Sequence, residues 1–396
     1  MSASLIDLAI VGGGLAGGLI ALAAHRANPT MEIALVEAGD VFGGNHRWSW
    51  FDSDLGPEGD ALMSAFRAKT WTGGNEVRFP KLSRHLSADY RSLDSRDFDA
   101  GLRRLLPQSA LHLNSRALTL APDRVTMEDG RSIAARCVID CRDPAPSPDL
   151  TGGWQVFLGQ HRRMDAPHGI ERPVIMDATV EQIGGYRFLY LLPLSDTELF
   201  LEDTYYQDRA RLDAPALRQR IADYCDRHGW QGEILHEETG LLPVITGGDF
   251  ASYRAALERD GVALAGARGG FLHPLTSYTV PIAVRNALAI AEGVGRMDGA
   301  QLAGFLSARA RDHWRATGYY RLLGKMLFDA AEPQERYRIF ERFYALPEPL
   351  IERFYAAQSS PLDKLRILSG KPPVPVRSAV AALLGKGAPL VQGDKS

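Results

Sequence analysis

The chain opens on an apolar run, Leu5–Val11 with one acid at Asp7, that breaks into Gly12-Gly13-Gly14-Leu15-Ala16-Gly17-Gly18, resumes as the alanine-rich segment Leu19–Ala24, and closes a second apolar run at Val36-Glu37. A short apolar run bounded by glycine predicts a buried strand, so the opening predicts strand, helix, strand. Further on, Val125–Ile133 turns at Asp129-Gly130 and predicts a hairpin, and Arg136–Asp140 predicts a buried strand returning to the same sheet. Prolines at 144, 146 and 148 mark a boundary after Asp143, where neither strand nor helix should continue. The rhythm then changes. Trp154–Leu158, Tyr186–Leu192 and Glu198–Tyr206 read as antiparallel strands, Leu212–His228 as a helix and Leu241–Val244 as a short extended piece. Gly261–Ala265 reads as a strand leading into Gly266–Gly270 and a helix from about Tyr278 to Gly293, a second strand-glycine-helix unit, and the remainder reads as helical. The expected organisation is α/β: a Rossmann-like nucleotide domain begun by residues 1–148 and completed by a return segment, 256–310; an antiparallel-sheet substrate domain, 149–255; and a helical C-terminal region, 311–396.

The glycine motif carries chemistry. Gly12 permits a tight turn, Gly14 lets backbone approach a pyrophosphate, and Gly17 lets the helix pack closely on the sheet. Phosphates would sit at the helix N-terminus, and Glu37 is placed to accept hydrogen bonds from ribose hydroxyls. An acid rather than an arginine there disfavours a 2′-phosphate, so FAD or NAD is expected over NADP.

Composition narrows the class. Apolar residues at 45% and charged residues at 23% describe a folded globular chain, and 396 residues exceed the usual span of one core. A net charge of −3 supplies no broad field for nucleic acid. Cys137, Cys141 and Cys225 form no CxxC and no even set, which reads as buried thiols of a reducing compartment. The uncharged stretch Leu8–Ala24 is glycine-broken, follows Asp7 and lacks a basic head, so it is read as neither a membrane span nor a signal peptide. The expected location is the cytosol or a membrane's cytosolic surface.

Three segments hold candidate side chains. The loop Gly43–Trp50 is dense in aromatic and polar donors, with Gly44 and His46 expected beside a cofactor. In Glu202-Asp203 strand alternation puts Glu202 on a side with Phe200, Thr204 and Tyr206, and Asp203 with Leu201 and Tyr205, so only one acid faces a cavity unless the strand bulges. Burial beside aromatic walls would keep that carboxyl protonated, as a general acid requires. In the late glycine unit Gly266, Gly270, His273, Pro274 and Tyr278 are expected around the cofactor, where a helix start aims N–H groups at an electron-rich atom. No HExxH, CxxC or Cys/His cluster points to a metal, and no GxSxG elbow to a serine hydrolase. Near the end Glu341–Ala345 repeats as Glu352–Ala356, with Pro347 and Pro349 dividing the copies between two helices. The aromatic residues of this repeat, with Lys364, Arg366, Lys371, Arg377, Lys386 and Lys395, are open to two readings: a membrane-surface patch, or a core-facing stripe followed by an ordinary basic tail.

Over nearly its whole length the chain resembles the bacterial lycopene β-cyclases of carotenoid biosynthesis. The resemblance rests on Asp7–Gly18; Gly43-Gly44-Asn45-His46 with Trp48-Ser49; Trp71, Gly74, Val77 and Phe79-Pro80; Tyr90, Ser92, Ser95 and Phe98; Phe200–Thr204; His273-Pro274 with Thr276 and Tyr278; and Asp363–Leu368 with Gly370–Pro373. Arg47 and Trp50 stand where that family more often has Thr and Phe, and Ser277 where Gly is usual. The resemblance implies an FAD-binding fold of the aromatic-hydroxylase and geranylgeranyl-reductase type. It also implies redox-neutral cyclisation of lycopene through a one-ring carotene to β-carotene, reduced FAD as the active form, and NAD(P)H only as its reductant. It makes Glu202 the acid/base residue, with Asp203 assisting or orienting it. The substrates would be lycopene and the monocyclic carotene; the enzyme would dock peripherally on the membrane, in contact with other carotenoid enzymes. Two other readings stand beside it: an FAD-dependent hydroxylase or reductase of a prenyl lipid, and a non-catalytic carotenoid-binding flavoprotein.

Overall fold

In the computed structural model, which describes residues 5–144, 146–370 and 374–391, the chain builds two main sheets and passes between them more than once. It begins β1 (Ile6–Val11), α1 (Leu15–Ala27), β2 (Ile33–Val36), with β1 and β2 parallel. After the Gly43-Gly44 loop come β3 (Arg47–Phe51), α2 (Gly56–Met63), β4 (Lys69–Trp71), β5 (Asn75–Phe79), β6 (Leu82–Leu86), β7 (Tyr90–Asp94) and α3 (Ser95–Leu105). Next are β8 (Leu111–His112), β9 (Ala117–Ala121), β10 (Arg124–Met127) and β11 (Ser132–Asp140). The expected hairpin is present, with Val125 opposite Ile133, and Arg136–Asp140 runs parallel to β1 as the returning strand.

The second sheet follows with β12 (Ser147–Met164), β13 (Val174–Asp177), β14 (Tyr186–Pro193), β15 (Glu198–Gln207), the helix α4 (Ala214–Arg227) and β16 (Gly232–Gly248). After α5 (Phe250–Leu257), β17 (Val262–Leu264) goes back to the first sheet beside β11, and α6 (Val280–Gly293) packs with α1 in the first core. The C-terminal region is α7 (Gly299–Ala316), α8 (Gly318–Lys325), α9 (Tyr337–Phe343), α10 (Glu348–Tyr355), α11 (Pro361–Leu368) and α12 (Val376–Leu384), closed by β18 (Pro389–Leu390), which pairs with β12.

Three expected boundaries differ. β12 starts at Ser147, so the proline segment does not interrupt the strand: Pro148 sits in its first turn of pairing, at a strand beginning, where the missing N–H is tolerated. β16 is much longer than the expected piece at 241–244 because it pairs along nearly all of β12. The third concerns residues 75–86, which were placed in the nucleotide domain but lie in the second sheet, β5 pairing parallel with β13. Val77, Phe79 and Leu86 are buried in one aromatic cluster with Tyr186 and Phe188, and that burial draws the two strands across.

The second sheet is covered on both faces. One face packs Leu189, Leu201 and Tyr205 against α4; the other turns Tyr186, Phe188, Phe200 and Tyr206 towards α8, α9 and α10. The two copies of the C-terminal repeat end the separate helices α9 and α10, as expected. Their tyrosines, Tyr344 and Tyr355, are buried and joined hydroxyl to hydroxyl at 2.5 Å, so the aromatic stripe faces the core. Of the basic residues, Lys371 and Lys395 lie outside the described residues, as do Pro372 and Pro373.

Candidate active site

Gly12 and Gly17 of the first turn have a visible steric reason. Gly12 adopts φ +103°, and a Cβ there would fall 2.7 Å from the carbonyl of Cys141. A Cβ at Gly17 would fall 2.0 Å from the Gly12 oxygen, so the helix could not pack. A Cβ at Gly14 would meet nothing within 4 Å. The protein's own packing therefore makes no demand for glycine at Gly14. Gly14 caps α1, whose first N–H groups have no side-chain cap.

These groups line a cavity of about 570 Å³ whose wall includes Gly12, Gly14, Glu37, Gly44, His46 and Gly266. The Glu37 carboxylate accepts the Gly13 N–H at 2.7 Å and the Gly39 N–H at 2.8 Å, which fixes it at the cavity edge and leaves lone pairs for hydroxyls. Open helix N–H groups, a glycine with space above it and a fixed acid suit a dinucleotide. His46 is held below its ordinary imidazole value by desolvation, with Asp143 pulling the other way. Asn45 ties this loop to β16, donating to the Glu237 carbonyl at 3.0 Å and bonding His236 at 2.5 Å.

A second cavity, about 310 Å³, shares His46, Trp48, Asp143, Pro144, Ala267 and Thr279 with the first. The nucleotide groove therefore runs on into an aromatic chamber. Phe157, Phe188, Tyr190 and Tyr206 come from the second sheet, Phe51 and Tyr90 from β3 and β7, Tyr278 from the late turn, and Tyr344 and Tyr355 from α9 and α10. A chain of hydroxyls crosses one wall: Tyr278 and Tyr90 share a bond at 3.2 Å, and Tyr190 reaches Tyr90 at 3.0 Å and donates to Ser49 at 2.7 Å.

Glu202 opens into this chamber. It retains some exposure, but that surface faces the cavity, and desolvation pushes its carboxyl up to about 7. Its Oε1 accepts the Thr204 hydroxyl at 2.6 Å, which pulls the other way, as does the charge of Arg47. Arg47, one of the departures from the resemblance, pairs with Asp94 at 2.7 Å and lies 5.2 Å from the Phe200 ring centroid. Trp50, the other, is fully buried. A near-neutral carboxyl facing aromatic rings can give a proton to a carbon–carbon double bond and shield the resulting cation from water.

Four expected site residues stand elsewhere. Asp203 points to the opposite face, fully buried, held by Arg187 Nε at 2.8 Å and Nη2 at 3.1 Å and by the Tyr205 hydroxyl at 3.0 Å. Burial pushes its carboxyl up and those donors oppose the rise. It lines neither cavity, because β15 keeps strict alternation with no bulge at this point. His273 is buried behind the chamber. Its Nδ1 accepts the N–H groups of Leu275 and Thr276, so its Nε2 donates to the Phe354 carbonyl at 3.1 Å. Desolvation lowers it to about 3, and it stays a neutral brace between the turn and α10. Pro274 accepts the Ile245 N–H through its carbonyl, and Gly270 takes φ +87° against Phe250. All three shape the turn from behind. Ser277, where Gly is usual in the resembled family, does adopt a left-handed φ of 56°, and its hydroxyl donates to the Pro243 carbonyl at 2.8 Å.

Other residues went unnoticed in the sequence. Tyr190 lies directly opposite Glu202 on β14, and alternation from Tyr186 would have found it. Glu238 is buried beneath the same face of the sheet, yet reads as part of the polar run His236–Thr239.

The family model described as lycopene cyclase protein matches residues 7–381. A lycopene beta-cyclase of Pseudescherichia vulneris is 43% identical over 379 residues, covering 96% of this chain and 97% of that protein. One from Pantoea ananas is 40% identical over 382 residues, covering 96% and 98%. Among solved structures, a geranylgeranyl bacteriochlorophyll reductase-like protein from Thermoplasma acidophilum aligns with a TM-score of 0.61 at 13% identity, over 96% of this chain and 100% of that one. A p-nitrophenol 4-monooxygenase from Pseudomonas putida aligns at 0.59 and 15%, over 90% and 99%. The shared fold is the hydroxylase and reductase type expected from the sequence.

Proposed function

The chain belongs to the lycopene cyclase family, and from that premise we propose that it closes both acyclic ends of lycopene into β-ionone rings, through the monocyclic γ-carotene to β-carotene, without net oxidation or reduction. The observation that carries this reading is Glu202, a carboxyl raised to about 7 at the wall of an aromatic chamber continuous with a dinucleotide groove. A neutral Glu202 protonates C2 of the terminal double bond. The cation at C1 is attacked by the C5=C6 bond, and the C6 proton passes to the Glu202 carboxylate left by the first step, which restores a neutral ring and a neutral acid. Aromatic faces around the chamber stabilise the passing cation, and their packing keeps water from trapping it.

Gly12, Gly14, Glu37, Gly44, His46 and Gly266 are the residues proposed to hold FAD, with Gly17 keeping α1 close against their turn. Reduced FAD would supply negative potential near the cation, with NAD(P)H needed only to keep it reduced. Tyr278, on the chamber wall, is proposed to meet the cofactor from the other side. Asp203 would act on Glu202 from the opposite face, by fixing β15 through Arg187 and through its like charge.

A C40 hydrocarbon is far longer than this chamber, so one end enters at a time and the rest stays in lipid. Among the described residues no helix is long and apolar enough to cross a membrane. α11 and α12 expose Leu362, Leu365, Leu368, Val380, Leu383 and Leu384, with Lys364 and Arg366 beside them. These helices are proposed to dock peripherally on the cytoplasmic membrane surface, where neighbouring carotenoid enzymes would pass substrate.

The test is anaerobic: lycopene in liposomes, FAD prereduced with dithionite, no nicotinamide, wild type against Glu202→Gln. Rings from wild type alone support acid/base cyclisation. Product only with stoichiometric NAD(P)H consumption would make the protein an oxidoreductase, and equal carotenoid binding without product in either protein would make it a carrier.

A further inference from the structure

One buried acid has no part in the chemistry above. Glu238 is 5% exposed, and among the described residues its carboxyl makes no hydrogen bond or ion pair. Its place is set by register. Gly159 of β12 lies opposite Glu202 on β15 and opposite Glu238 on β16, so the three sit in one cross-strand row with both acids on the same face. Two strand spacings put their Cα atoms about 9 to 10 Å apart, within reach of two extended glutamate side chains.

Gly159 makes the row possible. A Cβ there would fall 2.5 Å from the Phe200 ring and 3.2 Å from Glu238 Cγ. The Phe200 ring lies over the bare backbone, itself buried, so the space around the two carboxyls is apolar and charge is weakly screened. The ionisable groups facing Glu238 are Glu202 from β15, Arg47 from β3, Asp94 from β7 and Arg96 from α3; Glu202 also feels Asp203, Arg47 and Tyr190. His161 and His236 share the face farther along, His161 bonded to Glu198 at 3.0 Å. Desolvation first, then the charge of Glu202, raise Glu238 to about 8.

We propose that Glu238 is a positioning residue for Glu202: the two carboxyls flank Gly159 in one row on one buried face, so negative charge on either holds the proton on the other. The inference rests on the cyclase reading for its purpose but not for its first test. Infrared titration of the protonated-carboxyl C=O band, on resting protein with neither carotenoid nor flavin, compares wild type with Glu202→Gln and Glu238→Gln. Set against the double variant Glu202→Gln/Glu238→Gln, whose band still carries Asp54, wild type should lose two further protons in two separated steps. Glu202→Gln should lose its one proton below the upper wild-type step, because the like charge is gone. A single step coinciding with the upper wild-type step would overturn the coupling.

The second test is the pH profile of cyclisation. Glu238→Gln should leave the acid plateau unchanged and cut the rate on the alkaline limb about three- to tenfold, the factor given by half to one pKa unit. Glu238→Asp, which restores a carboxyl, should recover much of that limb. Superimposable profiles for wild type and Glu238→Gln would overturn the positioning role even where the infrared coupling holds. If no variant or wild type cyclises lycopene, the infrared result still decides the pairing.

Discussion

Tyr190 and Glu202 face each other directly across β14 and β15, so the acid and the start of the hydroxyl chain share one rung of the sheet. The rung separates two properties of Tyr190. Its ring forms part of the chamber wall, while its hydroxyl reaches away to Ser49 and Tyr90. Tyr190→Phe keeps the ring and should cyclise within about threefold of wild type, with about 1 kcal/mol lost from stability for the broken bonds. Tyr190→Leu removes the cation-facing π system and should slow cyclisation roughly tenfold. Initial rates with prereduced FAD, beside thermal melts, separate the two.

Gly14 and Gly17 should fail in different ways. Gly14→Ala meets no protein atom and should melt with the flavin-free wild type, yet bind FAD at least tenfold more weakly, because the methyl occupies ligand space. Gly17→Ala collides with the Gly12 carbonyl and should be destabilised with or without flavin. Flavin-fluorescence titration and flavin-free melts check both.

Asp203 and Arg187 form a pair with almost no exposed surface, 0% and 4%. Removing one partner leaves the other charged and buried, which costs about 3–5 kcal/mol. Asp203→Asn should therefore lower the urea midpoint steeply. Folded Asp203→Asn should still form rings, with its alkaline limb moved to lower pH because a like charge behind Glu202 is gone, whereas Glu202→Gln should form no rings.

Burial places Glu202 and Asp54 at about 7 and Glu238 at about 8. A carboxyl raised in the fold contributes stability that is complete below its unfolded pKa and lost as pH rises through the folded one. Stability should therefore fall between about pH 4.5 and 8. Glu202→Gln takes away one such loss: it should match wild type near pH 4 and exceed it by about 1–3 kcal/mol at pH 8, read by urea melts of flavin-free protein at the two pH values. Gain of stability with loss of activity is what a functional buried acid gives on replacement.

Leu362, Leu365 and Leu368 lie at i, i+3 and i+6 on α11, 77%, 66% and 47% exposed. Replacing all three with Ser removes apolar surface left exposed among the described residues. Sedimentation with anionic vesicles should drop several-fold while cyclisation of detergent-dispersed lycopene continues. Unchanged sedimentation would dismiss α11 as the docking surface.

Local rules made much of this molecule legible. Glycine spacing placed the nucleotide turn, and alternation along Phe200–Tyr206 put Glu202 and Asp203 on opposite faces. What stayed hidden depends on distant partners. The pairing of β5 with β13 joins segments about a hundred residues apart, and no periodicity in either announces it. His273 sits where a cofactor contact was expected, but Phe354, in a helix 81 residues away, claims its Nε2–H. Glu238 lies in a polar run that resembles surface, and only the register of β16 against β12 buries it.

The excursion of β5 and β6 into the second sheet, and the return of β17 to the first, sew the two sheets together on either side of the chamber. Swinging one sheet away from the other would strain both crossings at such a seam. A long polyene must be threaded through the helices and loops that roof it. By the same stitching, no single cut in the chain yields a free-standing nucleotide domain, so the two halves should melt in one transition and resist expression as separate pieces.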